Sequence, residues 1–262
     1  MEAICDDLEA EHQALDAAVV KLSDAGWRTP TPAAGWDVAD CIGHLWFFDR
    51  RATMALDPAT VDAFAEDAKA LMASAASGRD LAAEAGRALA PSELFQAWRD
   101  DRAVLLGLAR RSDPSARIPW YGPAMAARSF ITARLMETWA HGQDIRDALG
   151  LEPEVSMRLR HVAHIGVRAR PFAYANNRRQ LPDEDVRVEL VAPNGELWTW
   201  GESEANTVRG SALDFCLLVT QRRHLLDTGL EVVGPLAADW ISIAQAFAGP
   251  PGPGRAAGQF RH

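Results

Sequence analysis

Glu137 and His141 stand four residues apart in METWAHGQDI, residues 136 to 145, inside an otherwise apolar segment. On a helical wheel they share one stripe with Phe130, Ala133 and Ala148, and Asp144 lies close beside it. An ionised carboxylate on such a face is costly unless it is neutralised or met by a cation. Residues at i and i+4 also present two ligands to one metal ion, as they do in zinc-binding helices. A surface pair, or a satisfied buried pair, gives the same spacing, so the pattern needs a third ligand before it says metal. A catalytic zinc site takes three protein ligands and keeps one position open. His44 supplies the third: it shares a stripe with Cys41, Phe48 and Ala55 and so faces inward on its own helix. Inward side chains from separate helices of a bundle converge on metals. Two other sets stay open, because Cys41 lies three residues before His44 and because His161 and His164 form an HxxH pair further on.

Other residues suit the surroundings of such a site. Trp120 and Tyr121 sit at the centre of SDPSARIPWYGP, residues 112 to 123, a Pro- and Gly-rich segment that reads as a loop. Adjacent aromatics there either wall a binding pocket or pin the loop to the core. Asp49 and Asp144 are candidates to orient a ligand histidine from behind, with capping or surface roles as the alternative.

The elements that must position these groups follow from apolar spacing and punctuation. Ile4, Leu8, Leu15, Val19 and Leu22 recur at helical spacing over about 2 to 25. A second helix starts at Asp37, a good N-cap, and runs towards Pro58. An Ala-rich third covers about 58 to 77, and a fourth follows Pro91-Ser92 to about 111. The helix of the Glu–His pair spans about 123 to 149 and stops at Gly150. It is apolar nearly all round, as expected of a helix sandwiched between other elements. Another helix covers about 153 to 175. Beyond it the period changes from helical to alternating: Val186, Val188 and Leu190 point one way, and PNGE separates them from LWTW in a hairpin signal. A helix over about 206 to 224, a short strand EVVGP and a last helix over about 236 to 248 complete the pattern. The expected organisation is a helical bundle over residues 1 to 178, a smaller α+β domain over 179 to 249, and a disordered tail over 250 to 262.

Composition limits the partners. The 262 residues carry a formal net charge of −9, and Lys and Arg are dispersed, so no electrostatic footprint for nucleic acid or an anionic membrane is present. The acidic start MEAICDDLEAEHQAL lacks the flank and apolar run of a signal peptide, and no later apolar run reaches spanning length. Cys5, Cys41 and Cys216 form no CxxC pair and no even framework. These features predict a cytoplasmic protein with a small-molecule partner.

Two stretches, GWDVADCIGHLWFFDR and ARLMETWAHGQDIRDALG, resemble the mycothiol-dependent maleylpyruvate isomerase family within the DinB-like metal-binding bundles, and an uncharacterised actinobacterial branch of it most of all. The resemblance implies a mainly α fold, with a DinB-like four-helix bundle followed by a sterol-carrier-like α+β domain. It implies zinc, or another divalent metal, on His44, Glu137 and His141, since the family holds its ion with an early-helix His and a later Glu-xxx-His. VRGSALDFCLLVTQRRHLL is similar to the family's smaller domain, in which a helix entered through Arg-Gly ends in an arginine implicated in activity. That arginine falls on Arg222, with Arg223 beside it; the family has Gly before it, and this chain has Gln221.

The implied chemistry is thiol activation. A thiol of the mycothiol type, entering the open position of a zinc site, loses its proton and attacks an electrophilic carbon of a small molecule, to isomerise a double bond or to form a conjugate. Trp120 and Tyr121 would wall the pocket, and Arg222 would pair with a substrate carboxylate through its planar fork. A zinc–water hydrolase and a non-catalytic metal- or ligand-binding protein are the alternatives.

Overall fold

The computed structural model describes residues 1–260. It divides into two compact units, Met1–Glu154 and the remainder from Val155.

The first unit is built on four long helices. Helix α1 (Glu2–Val19) buries Ile4, Leu8, Leu15 and Val19 at the spacing that predicts it. A single turn, α2 (Asp24–Trp27), follows, capped by Ser23. Helix α3 (Val38–Leu56) begins with a capping box, in which Asp37 accepts from the Asp40 N–H and Asp40 accepts from the Asp37 N–H. It stops before Pro58, which disfavours helix at the preceding residue. The peripheral helices α4 (Val61–Ala76) and α5 (Leu81–Arg87) come next. Nothing in the periodicity announced α5. It packs on α3 through two glycines, Gly43 and Gly86, so close that a Cβ on either would lie 3.0 Å from the other's Cα. Helix α6 (Pro91–Arg111) takes Pro91 in its first turn. A two-residue hairpin, β1 (Arg117–Ile118) and β2 (Met125–Ala126), carries Trp120 and Tyr121 between its strands. Helix α7 (Ala127–Leu149) ends at Gly150, whose φ of 63° is the left-handed cap expected of glycine.

Helix α1 packs against α6 and α7, and α3 packs against α6 and α7, so the four close a ring. Every helix of the ring contributes to a buried polar layer. Asp49 of α3, fully buried, accepts from Arg134 Nε of α7 at 3.0 Å and from Trp98 Nε1 of α6 at 3.3 Å. His12 of α1 presents its ring edge to Trp98 at 5.9 Å, and neither of its nitrogens has a hydrogen-bond partner among the described residues.

This layer makes stability depend on pH. Burial, then the Arg102 and Arg134 cations, hold the His12 pKa well below its ordinary value. Above about pH 6.5 His12 is neutral in both the folded and the unfolded chain and imposes no penalty. Below that pH the unfolded chain takes up a proton that the folded one refuses, so stability falls with a limiting slope of about 1.4 kcal/mol per pH unit. His12→Leu is therefore expected to flatten the wild-type loss of stability between pH 7 and pH 5, measured by urea denaturation. Equal pH slopes in the two proteins would refute this role for His12.

In the second unit the helix expected over 153 to 175 is two, α8 (Leu159–Arg168) and α9 (Arg170–Asn176). They meet at Ala169, just before Pro171, which has no N–H to continue the helical ladder. The strands β3 (Arg187–Val191), β4 (Leu197–Trp200), β5 (Thr207–Ser211) and β6 (Glu231–Val233) form one sheet in the order β4-β3-β5-β6. The hairpin expected at PNGE joins β3 to β4, with Gly195 at φ 86°. The segment expected as one helix over 206 to 224 starts instead as β5, paired in parallel with β3. Ser211 then caps the shorter α10 (Ala212–Val219), its hydroxyl accepting from the Asp214 N–H at 3.0 Å. The last helix, α11 (Pro235–Ile241), is shorter than expected.

The change of periodicity at residue 178 is thus not where the compact units part. Helix α8 packs on α10, while Trp139 Nε1 and Arg146 Nη2 of α7 hold Glu154 at the end of the first unit, each at 3.1 Å. The tail expected to be disordered is described through Phe260, and the Gly258 N–H donates to the Asp227 carboxylate. Residues 261 and 262 lie outside the described residues.

Candidate metal centre

Helix α3 brings His44, and α7 brings Glu137 and His141, to one side of the first unit. The ligand atoms these three offer all lie within 4.8 Å of one another. His141 Nε2 is 3.7 Å from Glu137 Oε2, and the two imidazole centroids are 4.5 Å apart. His141 is buried, while His44 and Glu137 are half-buried, so the group is set into the bundle and open on one side.

The other ring nitrogen of His141 faces inward. Its Nδ1 lies 3.6 Å from Asp144 Oδ2, and Asp144 is fully buried one helical turn away on α7. The imidazole therefore stands between two carboxylates, one near each nitrogen. Cys41, His141 and Asp144 form a second group within 4.8 Å, all three buried. Cys41 is thus placed beside the candidate ligands, as its spacing from His44 allowed, on the inner side of His141. His161 and His164 belong to the second unit and join no group of three such side chains among the described residues. Asp49 does not stand behind a ligand histidine, contrary to the expectation: its partners are Arg134 and Trp98.

Trp120 and Tyr121 are placed one layer back. Trp120 stacks on Phe64 at 5.5 Å and 4°, and Phe48 stands 6.3 Å from Trp120 and 5.8 Å from Tyr121. Phe48 is the ring that touches His44, at 4.6 Å. Burial raises the Tyr121 hydroxyl pKa well above its ordinary value, so it stays protonated. Trp36 is the other aromatic neighbour of the candidate ligands. Sequence reasoning passed over both residues, although Phe48 lies four residues after His44 on the same stripe and Trp36 directly precedes the α3 cap.

In the second unit, Gln221 has φ 60°, one of two non-glycine residues with positive φ among those described. It follows the end of α10, and the Arg222 N–H turns back to the Leu217 carbonyl at 2.7 Å. A left-handed residue at that point is what a helix terminator requires, and glycine suits it best. Gln221 adopts the same conformation, so Arg222 leaves the helix where an arginine after glycine would. The Arg222 guanidinium donates to the Thr220 carbonyl at 2.6 Å and lies over Phe247; Arg223 is buried, over Phe260.

The family model described as the mycothiol maleylpyruvate isomerase N-terminal domain matches residues 8–146, a span that contains His44, Glu137 and His141. The chain belongs to this family. Two relatives of the chain are uncharacterised proteins from two strains of Mycobacterium tuberculosis. Each is 47% identical over 251 residues, covering 95% of this chain and 96% of the relative. The crystal structure of the mycothiol-dependent maleylpyruvate isomerase shares the fold, with a TM-score of 0.56 and 15% identity over 84% of this chain and 89% of that one. A histidine-to-alanine mutant of that isomerase gives a TM-score of 0.54 at 14% identity over the same shares. The family's DinB-like bundle is the ring of α1, α3, α6 and α7. Among the described residues no helix is long and apolar enough to cross a membrane.

Proposed function

We propose that this chain is a divalent-metal protein that uses a low-molecular-weight thiol to isomerise, or to conjugate, a small electrophile. The observation that carries the proposal is the convergence of His44, Glu137 and His141 within 4.8 Å, inside the part of the chain that defines the family. Two imidazoles and one carboxylate fit zinc in number and in donor type. A divalent ion held by them supplies the positive charge that lowers a thiol's pKa towards neutrality.

The chain's own residues do the rest. Asp144 puts a carboxylate 3.6 Å from the inner nitrogen of His141, a charge that favours a proton there and leaves the outer nitrogen, on the Glu137 side, for an ion. Phe48 and the rings behind it, Trp120 and Tyr121, give an apolar flank that keeps bulk water from one side of the site and suits a small unsaturated molecule. Glu137 lowers the net positive charge that a three-histidine set would leave, which preserves the nucleophilic character of a thiolate nearby. Arg222 is the proposed partner for a substrate carboxylate. The related solved enzyme is a mycothiol-dependent maleylpyruvate isomerase, and a thiol of the mycothiol type is the proposed cosubstrate here.

Metal analysis of the purified protein by mass spectrometry is expected to give about one divalent ion per chain, with each of His44→Ala, Glu137→Ala and His141→Ala losing it. Full occupancy in all three variants would remove the proposed centre. A panel of small electrophiles, assayed with and without added thiol, tests the chemistry: turnover should require the thiol. Thiol-independent hydrolysis would instead make the protein a hydrolase, and metal without turnover would make it a binding protein.

A further inference from the structure

Trp36 is joined to both candidate imidazoles. Its indole stacks on His141 at 5.5 Å with the planes 19° apart, and it tilts over His44 at 5.2 Å and 48°. With the imidazole centroids themselves 4.5 Å apart, the three rings form one packed group, although Trp36 comes from the loop between α2 and α3 and not from the bundle.

That loop is locked in place. The Thr31 N–H donates to the Trp36 carbonyl at 2.8 Å, the Thr31 hydroxyl donates to the same carbonyl at 2.9 Å, and the Trp36 N–H donates to the Ala33 carbonyl at 3.0 Å. Arg87 of α5 grips Asp40 with Nε at 2.8 Å and Nη2 at 2.9 Å, and its Nη2 also donates to the Gly35 carbonyl at 3.2 Å. The short helix that periodicity missed therefore anchors the loop that carries the indole. Trp36 is half-buried, and it also lines an open surface cleft of about 410 Å³ with Pro30, Thr31, Asp37 and Arg87.

We infer that Trp36 is a positioning residue, which holds His44 and His141 in the one pair of orientations that lets them share an ion, and that Arg87 stabilises it there through the loop. The inference rests on the metal-centre reading above. The physical reason is preorganisation. A half-buried histidine such as His44 has several staggered rotamers open to it, and an ion that must select one of them binds more weakly than an ion that finds it already selected. A flat indole packed against both rings removes the alternatives.

Cobalt(II) is the probe, since its visible absorption reports the ligand geometry and competition with a chromophoric chelator reports affinity. Trp36→Leu, which keeps apolar bulk but not the flat ring, is expected to bind cobalt about 10- to 100-fold more weakly and with an altered visible spectrum. Trp36→Phe restores a ring and should come within about threefold of wild type with the wild-type spectrum. Arg87→Ala, remote from the imidazoles, should release cobalt to excess chelator faster than wild type does. Wild-type affinity and spectrum in Trp36→Leu would overturn the inference, and so would equal losses in the Leu and Phe variants. If Trp36→Leu does not fold, an unchanged release rate in Arg87→Ala overturns it. Failure of the wild-type protein to bind any ion would overturn the metal centre itself, and this role with it; cobalt binding that is indifferent to Trp36 would overturn this role alone.

Discussion

Arg134→Met is expected to destabilise the first unit by about 3–5 kcal/mol, the cost of removing one partner from a buried ion pair. Asp49 is fully buried, and two nitrogens of Arg134 lie on one of its oxygens, Nε at 3.0 Å and Nη2 at 2.9 Å. Burial pushes the Asp49 carboxyl up from its ordinary value, and the Arg134 cation and the Trp98 N–H pull against that. Without the guanidinium the carboxylate keeps one neutral donor, Trp98, and only the weaker influence of the Arg102 cation. Protonation then becomes its cheapest escape, so the deficit in Arg134→Met should be larger at pH 8 than at pH 5. Urea denaturation followed by far-UV circular dichroism at the two pH values measures both. Replacing the pair together, as Asp49→Leu with Arg134→Met, should recover most of the loss, because neither charge then has to be desolvated. A single variant within about 1 kcal/mol of wild type at pH 8 would show that the pair contributes little.

Glu137→Gln carries the second large effect. The amide keeps the size of the side chain and one oxygen donor, but it removes the only negative charge among His44, Glu137 and His141. The ion is expected to bind more than about 100-fold more weakly, beyond the loss typical of residues that merely support a ligand. Competition against a chromophoric chelator reads the affinity directly. The Glu137 side chain keeps 21% of its exposure, so the fold itself should be little affected, and thermal melting in excess chelator should stay close to wild type. That contrast separates the carboxylate's role as a ligand from a role in packing. Undiminished affinity in Glu137→Gln would assign the ion to other donors, with Cys41 and Asp144 next to His141 as the nearest set.

Much of the candidate site was legible because it depends on short-range periodicity. Glu137 and His141 lie one turn apart on any helix, and a helix over that stretch was demanded by its apolar spacing and by Gly150. His44 faces inward because the residues at its helical spacing, Cys41 and Phe48, are apolar. The Asp37 cap and the Pro91 start are local chemistry as well, and α3 and α6 begin where they indicate.

What could not be read involves partners distant in the chain. Thr207–Ser211 is a strand because it pairs in parallel with Arg187–Val191, which no window around residue 209 contains. Helix α5 is held by the contact of Gly86 with Gly43, 43 residues earlier. Asp49 could equally have faced a ligand histidine; the register of α3 against α7 gives it Arg134 instead. Trp36 reaches His141, more than a hundred positions away, only because Arg87 and Asp40 fix its loop.

The sequence by itself determined the four long helices of the first unit, their buried faces, and the three donors that belong on those faces, since each follows from residues within a turn or two of one another. Only the tertiary structure decided that these donors meet within 4.8 Å, that Asp49 pairs with Arg134, and that Trp36 covers both imidazoles. The physical reason is that periodicity specifies a direction around one helix axis, whereas a metal centre needs a distance between two. That distance is set by how α3 and α7 pack.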